Sequence, residues 1–252
     1  MEIWSHRSRV NLIDFGNSLA GLRMLRQMRV DGVEADVSFS KDKEIIIYHP
    51  GSIKPDLVTR TWQEIIATKL PIINLTDLLE FMISKPGMKC CLDIKQNSKE
   101  LVKKVMELVT FYDLEDQIYL TAFQKRISFL QIESDKMLLE YAKEINPDIQ
   151  THIIATWPVN LPQLVKIYRP NMISIGWLKE PFIIKVISRS LFELVTLTTD
   201  LRTQIVEVSE TGVKVLGGVV NSPDDMNYFS ELGVGGIMTD SPYEAMQLFK
   251  KN

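Results

Sequence analysis

Cysteine is almost absent from this 252-residue sequence, which holds only Cys90 and Cys91, side by side. Neighbours on a strand point to opposite faces, so this pair excludes a mutual disulfide or a shared metal and reads as core filler in a reducing compartment. Histidine is nearly as scarce, at positions 6, 49 and 152. A surplus of either charge is missing too: 29 basic residues face 32 acidic ones, for a formal net of -3. With the basic residues dispersed, nothing marks a nucleic-acid footprint or a membrane-attracting patch. Apolar runs are too short to span a bilayer, and the first predicted strand begins almost at Met1, leaving no room for a signal peptide; stable membrane insertion is not expected and the expected location is the cytoplasm. There is no glycine-rich dinucleotide fingerprint, no GxxxxGK phosphate loop and no low-complexity stretch.

What the sequence does contain is alternation. Strand-like runs occur at 3–6 (IWSH), 32–37 (GVEADV), 44–49 (EIIIYH), 89–95 (KCCLDIK), 118–123 (IYLTAF), 151–155 (THIIA), 172–177 (MISIGW), 214–220 (KVLGGVV) and 236–240 (GIMTD). Helical patterns separate most of them. Asn17 is placed to cap a helix carrying Leu19, Leu22, Leu25 and Met28, and short helices are predicted at 62–68 and 76–84. Ser98 opens an amphipathic helix, Ser222 and Pro223 open another that ends at Gly233, and Pro242 begins the last. Residues 180–212 read as helical without a clear division. The pattern predicts one α/β domain over residues 1–252 with a mostly parallel sheet, a TIM barrel rather than the alternative, a doubly wound open sheet. Nine strands are one too many for an eight-stranded barrel. The surplus is expected within 32–49, where two runs lie too close for a crossover helix and one is expected to be partly irregular.

Polar residues collect where the apolar runs end: His6 with Arg7, Glu34 with Asp36, His49, Asp93 with Lys95, and Asp240. Residues two apart on a strand share a face, so both members of each carboxylate or carboxylate-lysine pair point one way, and in a parallel barrel all would face one mouth. Three carboxylates in one pocket demand a cation, and hard oxygen ligands suit Mg²⁺ or Ca²⁺. Two histidines beside it could exchange a proton near neutral pH, while Arg7 and Lys95 supply fixed charge for an anionic phosphoryl group. Blander readings stand beside these. Asp93 with Lys95 makes an ordinary ion pair, Asp240 reads as a turn or capping residue before Pro242, His152 reads as a satisfied core histidine, and Trp177 is a possible pocket wall.

These residues, in this order, resemble the glycerophosphodiester phosphodiesterase family nearly end to end. His6-Arg7-Ser8 is similar to its HRG, Gly16-Asn17-Ser18-Leu19 to its PENT-leucine segment, and GVEADVSFSKDKEIIIYHP to its Glu-x-Asp pair followed at a fixed interval by HD. LPIINLTDLLE and LDIK are similar to the segments that follow, and SPDDMNYFSELGVGGIMTDSP to its closing helix and TDxP. The resemblance implies a metal-dependent TIM-barrel hydrolase in which Glu34, Asp36 and Asp93 bind a divalent cation, Mg²⁺ or Ca²⁺. It makes His6 and His49 the general acid and base and gives the phosphate to Arg7 and Lys95. The expected substrate is a small-molecule phosphodiester, cleaved to an alcohol and glycerol 3-phosphate by water or through a cyclic phosphate. Departures are Gly16 for the PENT glutamate, Ser8 for the HRG glycine, Pro50 for the HD aspartate, Asp93 for the EIK glutamate, and Gly218-Val219 for a tryptophan-threonine pair. They leave two other readings open: a catalytically silent relative that binds a phosphorylated ligand or a partner, and a phosphodiesterase acting on a non-glycerol diester or a lysophospholipid.

Overall fold

The structure is a computed structural model that describes residues 1–12, 14–84, 86–123, 133–155, 160–177 and 182–250. Nine strands form a single sheet: β1 (Glu2–Ser5), β2 (Gly32–Phe39), β3 (Ile45–Ile47), β4 (Lys89–Ile94), β5 (Ile118–Phe123), β6 (Gln150–Ala155), β7 (Met172–Ile175), β8 (Lys214–Gly218) and β9 (Gly236–Thr239). The order β1-β9-β8-β7-β6-β5-β4-β2, closed by pairing of β1 with β2, is an eight-stranded parallel barrel. The ninth strand, β3, pairs antiparallel with the outer end of β2 through Val37↔Ile47, Ser38↔Ile46 and Phe39↔Ile45. The surplus therefore lies where the sequence places it, and the run 44–49 is partly irregular as expected, with only Ile45–Ile47 forming strand. Its three isoleucines are all buried, Ile46 in a satellite cluster with Tyr48, Leu57 and Ile65. The Ile47 N–H also donates to the Ile73 carbonyl at 2.9 Å, so both edges of this short strand are used.

Helices cover the barrel: α1 (Leu19–Met28), α2 (Trp62–Ala67), α3 (Leu75–Ile83), α4 (Lys99–Phe111), α5 (Glu133–Ile145), α6 (Leu161–Tyr168), α7 (Phe182–Thr199), α8 (Leu201–Glu210), α9 (Pro223–Leu232) and α10 (Pro242–Phe249). The undivided region of the sequence splits at Asp200, which sits in the left-handed region at φ 47° and accepts from the Thr203 N–H as the cap of α8. Ser98, and Ser222 with Gly233, cap α4 and α9 as their sequence positions predict. Asn17 does not cap α1; Ser18 does, accepting from Gly21 N. The Asn17 side chain is engaged elsewhere. No helix among the described residues is long and apolar enough to cross a membrane.

The alternation of each strand sends one set of residues into the α/β interface and the other into the barrel. Cys90 joins the first layer and Cys91 the second, each fully buried and unpaired. Trp4, Cys91, Tyr119, Met172, Leu216 and Met238 form the barrel floor, with Trp4 edge-on to Tyr119 at 5.8 Å. Gly32 is forced by that tryptophan, because a Cβ there would lie 2.3 Å from the indole ring.

Above the floor the register runs Asp36↔Asp93↔Thr121↔His152, a row of polar groups inside the barrel. His152 is the satisfied core histidine the sequence predicts, fully buried between Thr121 Oγ1 at 3.0 Å and Ser174 Oγ at 2.7 Å. Burial lowers its pKa from 6.5 to about 3. The folded chain keeps this ring neutral where the unfolded chain protonates it, so its stabilising contribution is whole above pH 6.5 and is lost as pH falls from there towards 3. We expect the urea midpoint to fall between pH 6.5 and 5, with His152 contributing about 1.4 kcal/mol per pH unit. His152→Gln should flatten that slope; an unchanged slope in the variant would refute the assignment.

Candidate active site at the carboxyl ends of the strands

Register explains which side chains meet. Asp36 and Asp93 are direct partners across β2 and β4, and Glu34 is one interior position below Asp36. One step beyond Trp4↔Gly32 and Ser5↔Val33, His6 comes beside Glu34; one step beyond Ser5↔Thr239, it comes beside Asp240. The result is a buried acidic cluster in which ligand oxygens of Glu34, Asp36 and Asp93 all lie within 4.8 Å of one another. His6 Nε2 lies 3.9 Å from Glu34 Oε2, and its Nδ1 lies 2.7 Å from Asp240 Oδ1.

Lys95, one interior position beyond Asp93, places its ammonium 2.8 Å from Asp36 Oδ1 and also against Asp93 Oδ2. Arg7 Nε lies 3.3 Å from Asp36 Oδ2, which additionally accepts a 2.9 Å hydrogen bond from the Asn17 amide. Burial works to raise the Asp36 pKa, but Lys95 and Arg7 outweigh it and bring it down to about 2. Glu34 is pushed well up, by burial first and the Asp36 charge second, and burial raises Asp93 despite Lys95. Glu34 Oε1 and Asp93 Oδ1 are buried without any hydrogen-bond partner. Two orphaned hard oxygens beside a third carboxylate make a donor set that fits a divalent cation.

The first loop shapes this centre. Arg7 and Ser8 adopt left-handed backbone at φ 53° and 51°, which turns the Arg7 N–H onto Glu34 Oε2 at 2.6 Å. A non-glycine residue there costs about 1–2 kcal/mol, and Ser8 partly offsets it by donating to the Glu34 carbonyl at 3.2 Å. Gly16, at φ 74°, lies so close to the Arg7 carbonyl that a Cβ would approach it to 2.6 Å.

His49 stands at the other side of the cluster. Its Nδ1 lies 2.9 Å from the Pro50 carbonyl, which only accepts, so the proton is on Nδ1 and Nε2 keeps its lone pair. Burial lowers its pKa, against the opposing pull of Asp36. A cavity of about 260 Å³ opens beside it, bordered by Arg7, Arg9, Asp14, Phe15 and Asn17.

All seven residues singled out as a site, His6, Arg7, Glu34, Asp36, His49, Asp93 and Lys95, thus surround one region. Two others were misread. Asp240 is neither turn nor cap: besides His6 it accepts from Asn221 Nδ2 at 2.8 Å, and Asn221 Oδ1 in turn accepts from the Asp240 N–H at 2.9 Å. Trp177 does not wall the pocket, being buried among Phe192, Tyr228 and Phe229. Asn17, Asn221 and Arg9 were not singled out for the site; only the position of Asn17 in the PENT-like segment hinted at its role.

The fold recurs in solved structures of low sequence identity. A glycerophosphodiester phosphodiesterase from Thermotoga maritima shares 15% identity at a TM-score of 0.72, over 98% of this chain and 97% of that one. A glycerophosphoryl diester phosphodiesterase from Parabacteroides distasonis shares 16% at 0.71, over 99% and 86%. A phosphodiesterase from Oleispira antarctica, solved with its product sn-glycerol-3-phosphate, shares 16% at 0.70, over 100% and 97%. The model of the glycerophosphoryl diester phosphodiesterase family matches residues 6–244, and the chain belongs to that family of phosphoric diester hydrolases.

Proposed function

We propose that this chain hydrolyses a glycerophosphodiester to an alcohol and glycerol 3-phosphate, with a divalent cation at Glu34, Asp36 and Asp93 and with His6 and His49 as acid and base. The observation that carries this reading is the buried carboxylate cluster with two unpartnered oxygens, bordered by both histidines. Oxygen donors alone favour Mg²⁺ or Ca²⁺ over softer metals. When bound, such an ion supplies positive charge to the phosphoryl oxygens as they gather electrons.

The protein's own groups divide the remaining work. Arg7 and Lys95 add fixed positive charge around the phosphate and hold Asp36 ionised. His49, neutral and with Nε2 open, takes the proton of the attacking oxygen, from water or from a neighbouring substrate hydroxyl. The new P–O bond forms as the bond to the leaving alcohol breaks, and His6, as the imidazolium with its Nδ1–H on Asp240, gives that oxygen its Nε2 proton; where a substrate hydroxyl has attacked, water then opens the cyclic phosphate. Asp240 accepts from Nδ1–H of His6, fixing tautomer and ring orientation, and Asn221 steadies Asp240.

Turnover of glycerophosphocholine or glycerophosphoglycerol should vanish in chelator and return with Mg²⁺ or Ca²⁺. Glu34→Gln should lose both turnover and the calorimetric signal of cation binding; full activity in chelator would sink the metal assignment. Because His49 must be neutral, and burial depresses its pKa, the acid limb of kcat/KM should fall below the ordinary value of 6.5. His49→Gln should lower kcat by about 100- to 10,000-fold and abolish that limb. Asp240→Asn should leave the fold intact and lower kcat about 10- to 100-fold with little change in KM; a purely structural Asp240 would instead lower the unfolding midpoint and spare kcat. No turnover of any diester, with cation binding retained, would favour a silent binder.

A further inference from the structure

The cavity beside His49 carries charges that the chemistry above does not use. Arg7 and Lys95 face Asp36 and Asp93, whereas Arg9 is held by one long contact: among the described residues its one ion pair is a 3.5 Å reach from Nη1 to Asp240 Oδ1, and its Nε, like that of Arg7, is buried without a hydrogen-bond partner. A buried donor left unpaired costs about 1–3 kcal/mol, which an acceptor on a bound ligand would recover. Asp14 borders the same cavity. One of its oxygens closes the loop by accepting the Val10 N–H at 3.2 Å, and among the described residues it forms no ion pair. Phe15, exposed, also borders the cavity.

A guanidinium held by one long contact and a carboxylate without an ion pair among the described residues, both lining one cavity, are complementary to a group carrying both charges. We infer that Arg9 and Asp14 form a head-group subsite selecting diesters whose alcohol bears a carboxylate and an ammonium, as an amino-acid alcohol such as serine does. Arg9 takes the carboxylate and Asp14 the ammonium. Arg9 links the two sides of the centre, since it borders the cavity beside His49 and also leans on Asp240, the residue that holds His6. Both residues belong to the loop joining β1 to α1 and lie outside the segments that resemble family motifs. The volume of about 260 Å³ admits a small head group.

This inference rests on the phosphodiesterase reading, and its test separates the two. The wild-type protein, Arg9→Gln and Asp14→Asn are each assayed for kcat/KM on glycerophosphoserine, glycerophosphoethanolamine and glycerophosphoglycerol, and ratios between substrates are compared within each protein. The wild type should favour the serine diester over the glycerol diester by about tenfold or more, the worth of one charge-assisted hydrogen bond. Arg9→Gln should erase the advantage of serine over ethanolamine. Asp14→Asn should erase the advantage of ethanolamine over glycerol. Turnover with flat ratios in the wild type, or ratios that neither substitution moves, would overturn the subsite while leaving the phosphodiesterase reading standing. No turnover of any of the three would overturn both.

Discussion

Three carboxylates held within 4.8 Å of one another, away from water, are the constraint that the upper half of this barrel answers. Two like charges 4 Å apart repel by about 4 kcal/mol even at an effective dielectric constant of 20. The chain meets this unequally. Asp36 receives Lys95, Arg7 and the Asn17 amide, and remains ionised to low pH. Glu34 and Asp93 keep one oxygen each without a partner and are pushed towards the protonated form by burial. A cluster so divided relieves its repulsion through protonation, and its two unpartnered oxygens form a donor set that could hold a cation.

The means of assembling the cluster are short-range. His6, Asp93, Lys95 and Asp240 sit at a strand end or one step past it, Glu34 and Asp36 lie within β2, and parallel register carries each to its neighbour: Asp36 to Asp93 directly, His6 to Glu34 on one side and to Asp240 on the other. That is why the convergence of the seven candidate residues was legible in the sequence. Apolar runs mark the strands, the two-residue period fixes the face, and a parallel barrel sends all strand ends to one rim. The same logic continues beside the site, where Thr121 and His152 extend the row as a hydrogen-bonded wall.

Where two local rules compete, the sequence does not decide. Asp240 precedes Ser241-Pro242, a setting in which aspartate commonly caps a helix; only the closure of β9 onto β1, across 234 residues of chain, shows that it belongs to His6. Asn17 and Ser18 are both good N-caps, and the choice falls to Ser18 because Asp36, nineteen positions on, claims the amide. Trp177 ends a strand-like run, yet β7 stops at Ile175, and the ring turns outward to pack against α7 and α9. Each case was settled by a partner distant in sequence, which no periodicity records.

The departures from the family pattern are coupled through the first loop. Asn17 N–H donates to the Arg7 carbonyl at 2.5 Å, closing the chain on itself so tightly that position 16 has no room for a side chain. A glutamate there would require the loop to open, and opening it would withdraw the Asn17 amide from Asp36. Losing that carboxylate therefore removes one negative charge from the rim while securing a neutral donor to the most strongly ionised member of the cluster. The left-handed turn at Arg7 and Ser8 belongs to the same closure, since it sets the Arg7 N–H on Glu34 and the Arg7 carbonyl beneath Gly16. With glycine at 16 and serine at 8, the loop closes at the cost of left-handed backbone at Arg7 and Ser8, and it sets Arg9 at the cavity wall.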